Sequence, residues 1–264
     1  MTWPLNVKPE GVPLLSVCEL DKNFGGVQAV KGLSLDIHAG EIVGLIGPNG
    51  SGKSTSVNLI SGTLRATRGQ ILLSGRDVSK ATIGQRVSLG LARTFQTTSL
   101  FPEFNLLEQI QLGAHRCFQT SPLQSLLRTQ QFRREAVAKR EQAAALLEFM
   151  GLLSVAYESA EAISSAQQRL LMIATALATE PRVLLLDEPA AGMVAKERAE
   201  LTEIILRIRD RGVAVLVIEH HMGLIMEVCE RIAVLNFGQK IADGTPAEVR
   251  ADPAVIDAYL GTDH

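Results

Sequence analysis

The stretch Gly47–Thr55 reads GPNGSGKST, follows the apolar run Ile42–Ile46 and opens a helix-compatible segment, Lys53–Ser61. Strand, glycine-rich loop and helix in that order are the setting a phosphate-binding loop requires. Gly47, Gly50 and Gly52 let the backbone curl so that its N–H groups point inward, and with Pro48, Asn49 and Ser51 they form a nest for anionic oxygens. The following helix adds its positive N-terminal end. Lys53 reaches the β- and γ-phosphates as a point charge, Ser54 offers a hydroxyl to the magnesium of a nucleoside triphosphate, and Thr55 carries the loop into the helix.

Composition bounds what surrounds this loop. The chain has 264 residues, 46% hydrophobic and 20% charged, which suits one large domain and argues against disorder. A formal net charge of −2 supplies no basic field, so a general nucleic-acid or anionic-membrane binder is not expected. The local cluster Arg128, Arg133, Arg134, Lys139 and Arg140 reads as a solvated helix face. Cys18, Cys117 and Cys229 are scattered without metal-ligand or redox spacing, as expected for reduced thiols. No signal-peptide pattern opens the chain and no apolar run approaches bilayer length, so a membrane connection is expected through a partner.

Residues 1–13 contain three prolines and read as an irregular tail, leaving 14–264 as the folded domain. Short strands are expected at Leu14–Leu20, Gln28–Leu33, Ser34–Ile37 and Ile42–Ile46, separated by turns at Gly25–Gly26 and Ala39–Gly40. Helical spacing at Leu106–Leu112 and Phe132–Met150 predicts a helical subdomain over 97–165, inserted into an α/β core of 14–96 and 166–264. The bare aliphatic runs Val183–Leu186 and Val213–Ile218 read as parallel strands buried on both faces. A helix at Lys196–Asp210 lies between them, another at His221–Cys229 follows, and Ile232–Phe237 with Lys240–Ala242 reads as a hairpin. The result is a mostly parallel core sheet with an antiparallel β region at its N-terminal end.

The run VLLLDEP, Val183–Pro189, ends a buried strand in two adjacent carboxylates at the sheet edge where α/β ligands sit. Asp187 is placed to hold magnesium, and Glu188 to orient or deprotonate an attacking water, which points to hydrolysis. Gln96 ends Leu91–Phe95 and His220 follows Val215–Glu219. Spacing alone leaves each open between a ligand-facing role and a solvated side chain.

The ordered set resembles an ATP-binding cassette (ABC) subunit. The phosphate loop matches the family's Walker A motif, RTFQ its Q-loop, ISSAQQR (Ile163–Arg169) its signature, VLLLDEP its Walker B and IEHHM its switch. The resemblance implies a P-loop nucleotide-binding domain with ATP and Mg²⁺ as cofactors. It places Gln96 on magnesium and water, His220 near the γ-phosphate, Phe24 against adenine, and Ser164, Ala166 and Gln167 against the ATP of an opposite subunit. The segments LLLDEPAAGM, VLVIEHHMGLIMEVCERIAVLNFGQKIADGTPAEVR and DPAVIDAYLG are similar to the branched-chain amino-acid importer group, whose relatives also carry urea and amides. The implied partners are a second ABC ATPase subunit, transmembrane permease subunits and, indirectly, a solute-binding protein. The implied location is the cytoplasmic face of the cell membrane. Phe101, Pro102, Phe104 and Leu106, just past Gln96, read either as core packing or as a groove for a permease helix.

Two positions depart from the family pattern. Ala166 stands where the family has glycine, and a methyl facing the ligand there is expected to cost about 1–3 kcal/mol. Val194 stands where relatives have Asn or Asp, in a loop crossing the dimer interface. In the heterodimer the resemblance implies, they are read either as making the site built on Lys53 and Glu188 the faster of two or as harmless drift, and a regulatory subunit with weak turnover or an exporter ATPase stands as the alternative function.

Overall fold

The computed structural model describes residues 11–94, 100–114 and 130–260. Gln96 and Cys117 lie outside the described residues, as do 1–10 of the expected tail. The chain divides into two compact units, one holding the described residues of 5–94 and 182–264, the other those of 95–181.

The larger unit carries two sheets. The antiparallel one contains β1 (Leu15–Phe24), β2 (Val27–Ile37), β4 (Arg68–Leu73) and β5 (Arg76–Asp77), in the order β2-β1-β4-β5. The other contains β3 (Ile42–Ile46), β6 (Leu91–Arg93), β7 (Val183–Asp187), β8 (Ala214–Ile218), β9 (Arg231–Asn236) and β10 (Gln239–Gly244), in the order β10-β9-β3-β8-β7-β6. All its pairs are parallel except β9 with β10. Every residue of β3, β7 and β8 is buried, which is why these strands read as unbroken aliphatic runs.

One core joins the antiparallel sheet, helix α1 (Lys53–Ser61) and alternate residues of the parallel strands, including Val43, Leu45, Leu185, Leu216 and Leu235. On the other face, helix α7 (Met222–Val228) comes so close to Gly44 that an added Cβ would sit 3.0 Å from Cys229 Sγ. Cys18 and Cys229 are free thiols. Helices α2 (Ile83–Ser88), α6 (Ala195–Arg209), α8 (Pro246–Ala251) and α9 (Pro253–Leu260) complete this unit.

In the smaller unit, α3 (Leu106–Gly113), α4 (Gln130–Phe149) and α5 (Ser165–Leu177) pack on one another. A Cβ at Gly113 would lie 2.5 Å from Thr175 Cγ2, so glycine permits the close α3–α5 approach. Helix α5 groups with this unit, although residues from 166 onward are expected in the core. Leu106 is buried as the first residue of α3, so it is not part of an open groove, whereas Phe101, Pro102 and Phe104 are exposed. Lys139 forms an ion pair with Glu180 at 3.4 Å, while Arg134 and Arg140 are solvated.

Candidate functional site

The phosphate loop leaves the carboxyl end of β3. Gly47 has φ +149°, and a Cβ there would fall 2.1 Å from Leu235 O. Gly52 has φ +106°, and its Cβ would fall 2.5 Å from Ala29 O. These two glycines are required by the close packing of the loop's back on β2 and β9. The β9–β10 turn, Phe237–Gly238, adds a third clamp: Gly238 N–H donates to Ser51 O at 2.9 Å, and Lys31 N–H donates to Gly238 O at 2.8 Å. Gly50 differs, since a Cβ there meets nothing within 4 Å; its side of the loop is open.

Lys53 folds back over the loop and donates to Gly47 O at 2.7 Å and Pro48 O at 2.9 Å. Burial lowers its pKa, and the charge of Glu188 opposes that shift. Gly52 has no side chain with which to cap α1, which leaves first-turn N–H groups for an outside acceptor. Ser54 and Thr55 start the helix, with Ser54 exposed, while Pro48 is buried and Asn49 is exposed. Ser51 Oγ is buried without a hydrogen-bond partner among the described residues.

Strand β7 ends at Asp187, whose Oδ2 accepts from Arg93 Nη2 at 2.8 Å. Arg93 Nη1 also donates to Asn58 Oδ1 at 2.7 Å and Ser61 Oγ at 2.9 Å, so one guanidinium joins β6, β7 and α1. Glu188 has φ +48°, an uncommon backbone for a residue with a Cβ. Its N–H donates to Ile218 O at 2.8 Å, and the left-handed step then turns the chain out of the ladder. His220 follows β8 with Nδ1 3.9 Å from Glu188 Oε1. Lys53, Asp187, Glu188 and His220 thus gather at the carboxyl ends of β3, β7 and β8.

An open backbone nest, an uncapped helix start and a folded-back lysine fit the phosphates of a nucleotide. Asp187 and Ser54 are hard oxygen donors, and no group of three or more His, Cys, Asp or Glu forms a metal cage among the described residues. That donor set fits magnesium, which binds through few protein oxygens and substrate phosphates.

A family model describing ABC transporters matches residues 30–191. The high-affinity branched-chain amino acid transport ATP-binding protein LivG of Escherichia coli (strain K12) is 42% identical over 250 residues, 94% of this chain and 98% of LivG. The chain belongs to the ABC transporter family. A second family model, for branched-chain amino acid ATP-binding cassette transporters, matches residues 239–264 of this ABC chain. The lipopolysaccharide export ATP-binding protein LptB of Haemophilus influenzae is 32% identical, over 94% of this chain and 97% of LptB. Among solved structures, a nucleotide-free ATP-binding cassette from an ABC transporter superposes with TM-score 0.82 at 30% identity, covering 94% of this chain and 99% of its own. Another cassette, in its ADP conformation, gives TM-score 0.82 at 30% identity over 95% and 99%. The α/β cassette fold and the ABC ATPase class expected from the motifs therefore hold.

The remaining motif residues of the cassette sit on other elements. Phe24 ends β1, 46% exposed, with Lys22 Nζ 4.9 Å from its ring centroid. Ser164, Ala166 and Gln167 belong to the smaller unit, at the start of α5. Ser164 Oγ accepts from Gln167 N–H at 3.2 Å, and Gln167 Oε1 accepts from Ser164 N–H at 2.9 Å, a reciprocal cap. Ala166 is only 7% exposed. A methyl so little exposed packs against protein in this chain. Val194 is 62% exposed at the N-terminus of α6 and provides no side-chain cap.

Sequence reasoning missed three residues at the site. Glu219 is charged yet buried, the Arg93 side chain is only 10% exposed, and nothing but their position at strand ends hints at it. Tyr259, on α9, hydrogen-bonds the Gly47 backbone, and burial raises its pKa.

Proposed function

We propose that this chain is the ATP-hydrolysing motor subunit of an importer for branched-chain amino acids or a related small solute such as urea or an amide. It works as a dimer with a second ABC ATPase subunit, on the cytoplasmic face of the cell membrane, bound to permease subunits that receive cargo from a solute-binding protein. No described helix is long and apolar enough to cross a membrane, in keeping with attachment through a partner. Exposed Phe101 and Phe104, with ring centroids 5.7 Å apart, form the surface offered to the permease.

The observation that carries this reading is the convergence of Lys53, Asp187, Glu188 and His220 behind a phosphate nest. Lys53 and the Gly50–Thr55 backbone hold the phosphates. Ser54 and Asp187, with Gln96, hold magnesium, which when bound neutralises phosphate charge. Glu188 takes the proton of the attacking water, and His220 orients the reacting phosphate beside it. Phe24 stacks on the base. Ser164 and Gln167 face the nucleotide of the partner subunit.

The test is ATPase activity and uptake of labelled leucine or urea in proteoliposomes carrying the whole complex. Glu188→Gln is expected to lower kcat by about 10²–10⁴, the usual worth of a general base. Undiminished turnover would refute the assignment of Glu188. Export of a lipid with no solute uptake would favour the role that LptB's name describes.

A further inference from the structure

We propose that Glu219 is a positioning residue that yokes the loop after Glu188 to the loop carrying His220, so that both catalytic groups keep one mutual geometry. The proposal rests on the functional reading above for its kinetic consequence, and on hydrogen bonds alone for the yoke itself.

Glu219 is 2% exposed, at the carboxyl end of β8. A buried carboxylate survives only if its oxygens are satisfied. Here the donors are backbone amides from two separate segments. Oε1 accepts from Ala190 N–H at 2.8 Å. Oε2 accepts from His220 N–H at 3.0 Å and His221 N–H at 3.2 Å. Ala190 is two residues past Glu188, and His220 is the next residue after Glu219 itself.

The position explains why a side chain is needed. The β7–β8 ladder runs to Asp187 and Ile218, and one further bond joins Glu188 N–H to Ile218 O. There the left-handed Glu188 turns the chain away, and no strand carbonyl continues the pairing. The Glu219 carboxylate takes over as acceptor and reaches both diverging loops. A glutamine can accept through one oxygen only, and its amide group presents N–H to another N–H. An aspartate keeps the charge but is one methylene too short to hold both loops.

The experiment uses the full chain in its assembled complex, with Glu219→Gln and Glu219→Asp. For each variant kcat is expected to fall roughly 10- to 100-fold, the effect of a small misplacement of reacting groups. KM for ATP is expected to stay within about threefold, since the phosphate loop is untouched. Combined with His220→Ala, Glu219→Gln should add little further loss, because it acts through the same residue. Amide hydrogen exchange at Ala190, His220 and His221 should accelerate in both Glu219 variants and stay protected in Glu188→Gln. Unchanged protection of those amides, or Glu219 and His220 losses that simply multiply, would overturn the yoke. If the wild-type complex hydrolyses no ATP, the functional reading fails, and the exchange experiment still decides whether the yoke exists.

Discussion

Replacing Arg93 by methionine should destabilise the nucleotide-free protein strongly. The Arg93 and Asp187 side chains are 10% and 8% exposed, with Nη2 2.8 Å from Oδ2. Methionine retains much of the aliphatic stem, so lost packing is the smaller part of the change. The larger part is an Asp187 carboxylate left buried without its counter-charge, together with lost donors to Asn58 and Ser61. Breaking a buried pair in this way costs about 3–5 kcal/mol. At about 2–4 °C per kcal/mol for a domain of this size, Tm should fall by about 6–20 °C. Calorimetry without nucleotide or magnesium measures it. Arg93→Met combined with Asp187→Asn should recover a large part of the loss, since no orphaned charge remains. A single variant within about 2 °C of wild type, or a double variant whose loss is the sum of two large ones, would refute the assignment of this pair as the electrostatic tie between β6, β7 and α1.

Two further substitutions test the departures from the family pattern. Ala166→Gly should destabilise the helical unit by about 1 kcal/mol through lost helix propensity and a lost buried methyl, without accelerating ATP turnover of the complex; a clear gain in kcat would show that the methyl does obstruct the ligand. Val194→Asn supplies the missing cap of α6, at a backbone conformation (φ −76°, ψ 168°) suited to capping, and should add about 0.5–2 kcal/mol in denaturant unfolding; an unchanged midpoint would show that the first-turn amides are already satisfied.

Much of the fold was legible in the chain because periodicity and punctuation agreed. Ile42–Ile46 and Lys53–Ser61 were placed to the residue, since an aliphatic run ended in glycines and a glycine followed the helix. Strand β2 was less legible. It was expected as two strands, but continues through Gly32, where φ +56° and a register shift accommodate a bulge rather than a break. The hairpin turn sits at Phe237–Gly238 instead of Gly238–Gln239, because Phe237 adopts φ +44° and completes a two-residue turn of positive φ. His221 caps α7 through Nδ1 rather than opening it. At the site, residue types whose chemistry is local, glycine and lysine in a loop or acids after a strand, could be read directly. Burial could not. Hydropathy marks Glu219 and Arg93 as surface residues and Ala166 as ambiguous, and only the tertiary arrangement reveals what each one faces.

The back of the phosphate loop rests on main-chain oxygens of Leu235 and Ala29 and is held by the Gly238 amide. The cradle therefore has its shape before any ligand arrives. Association then carries little ordering entropy for the loop, and encounter and orientation set its rate. Differences in nucleotide affinity between states of the cycle must then arise mainly in dissociation. The kinetic handle on this motor lies in residence time on a rigid seat, not in the speed with which the seat assembles.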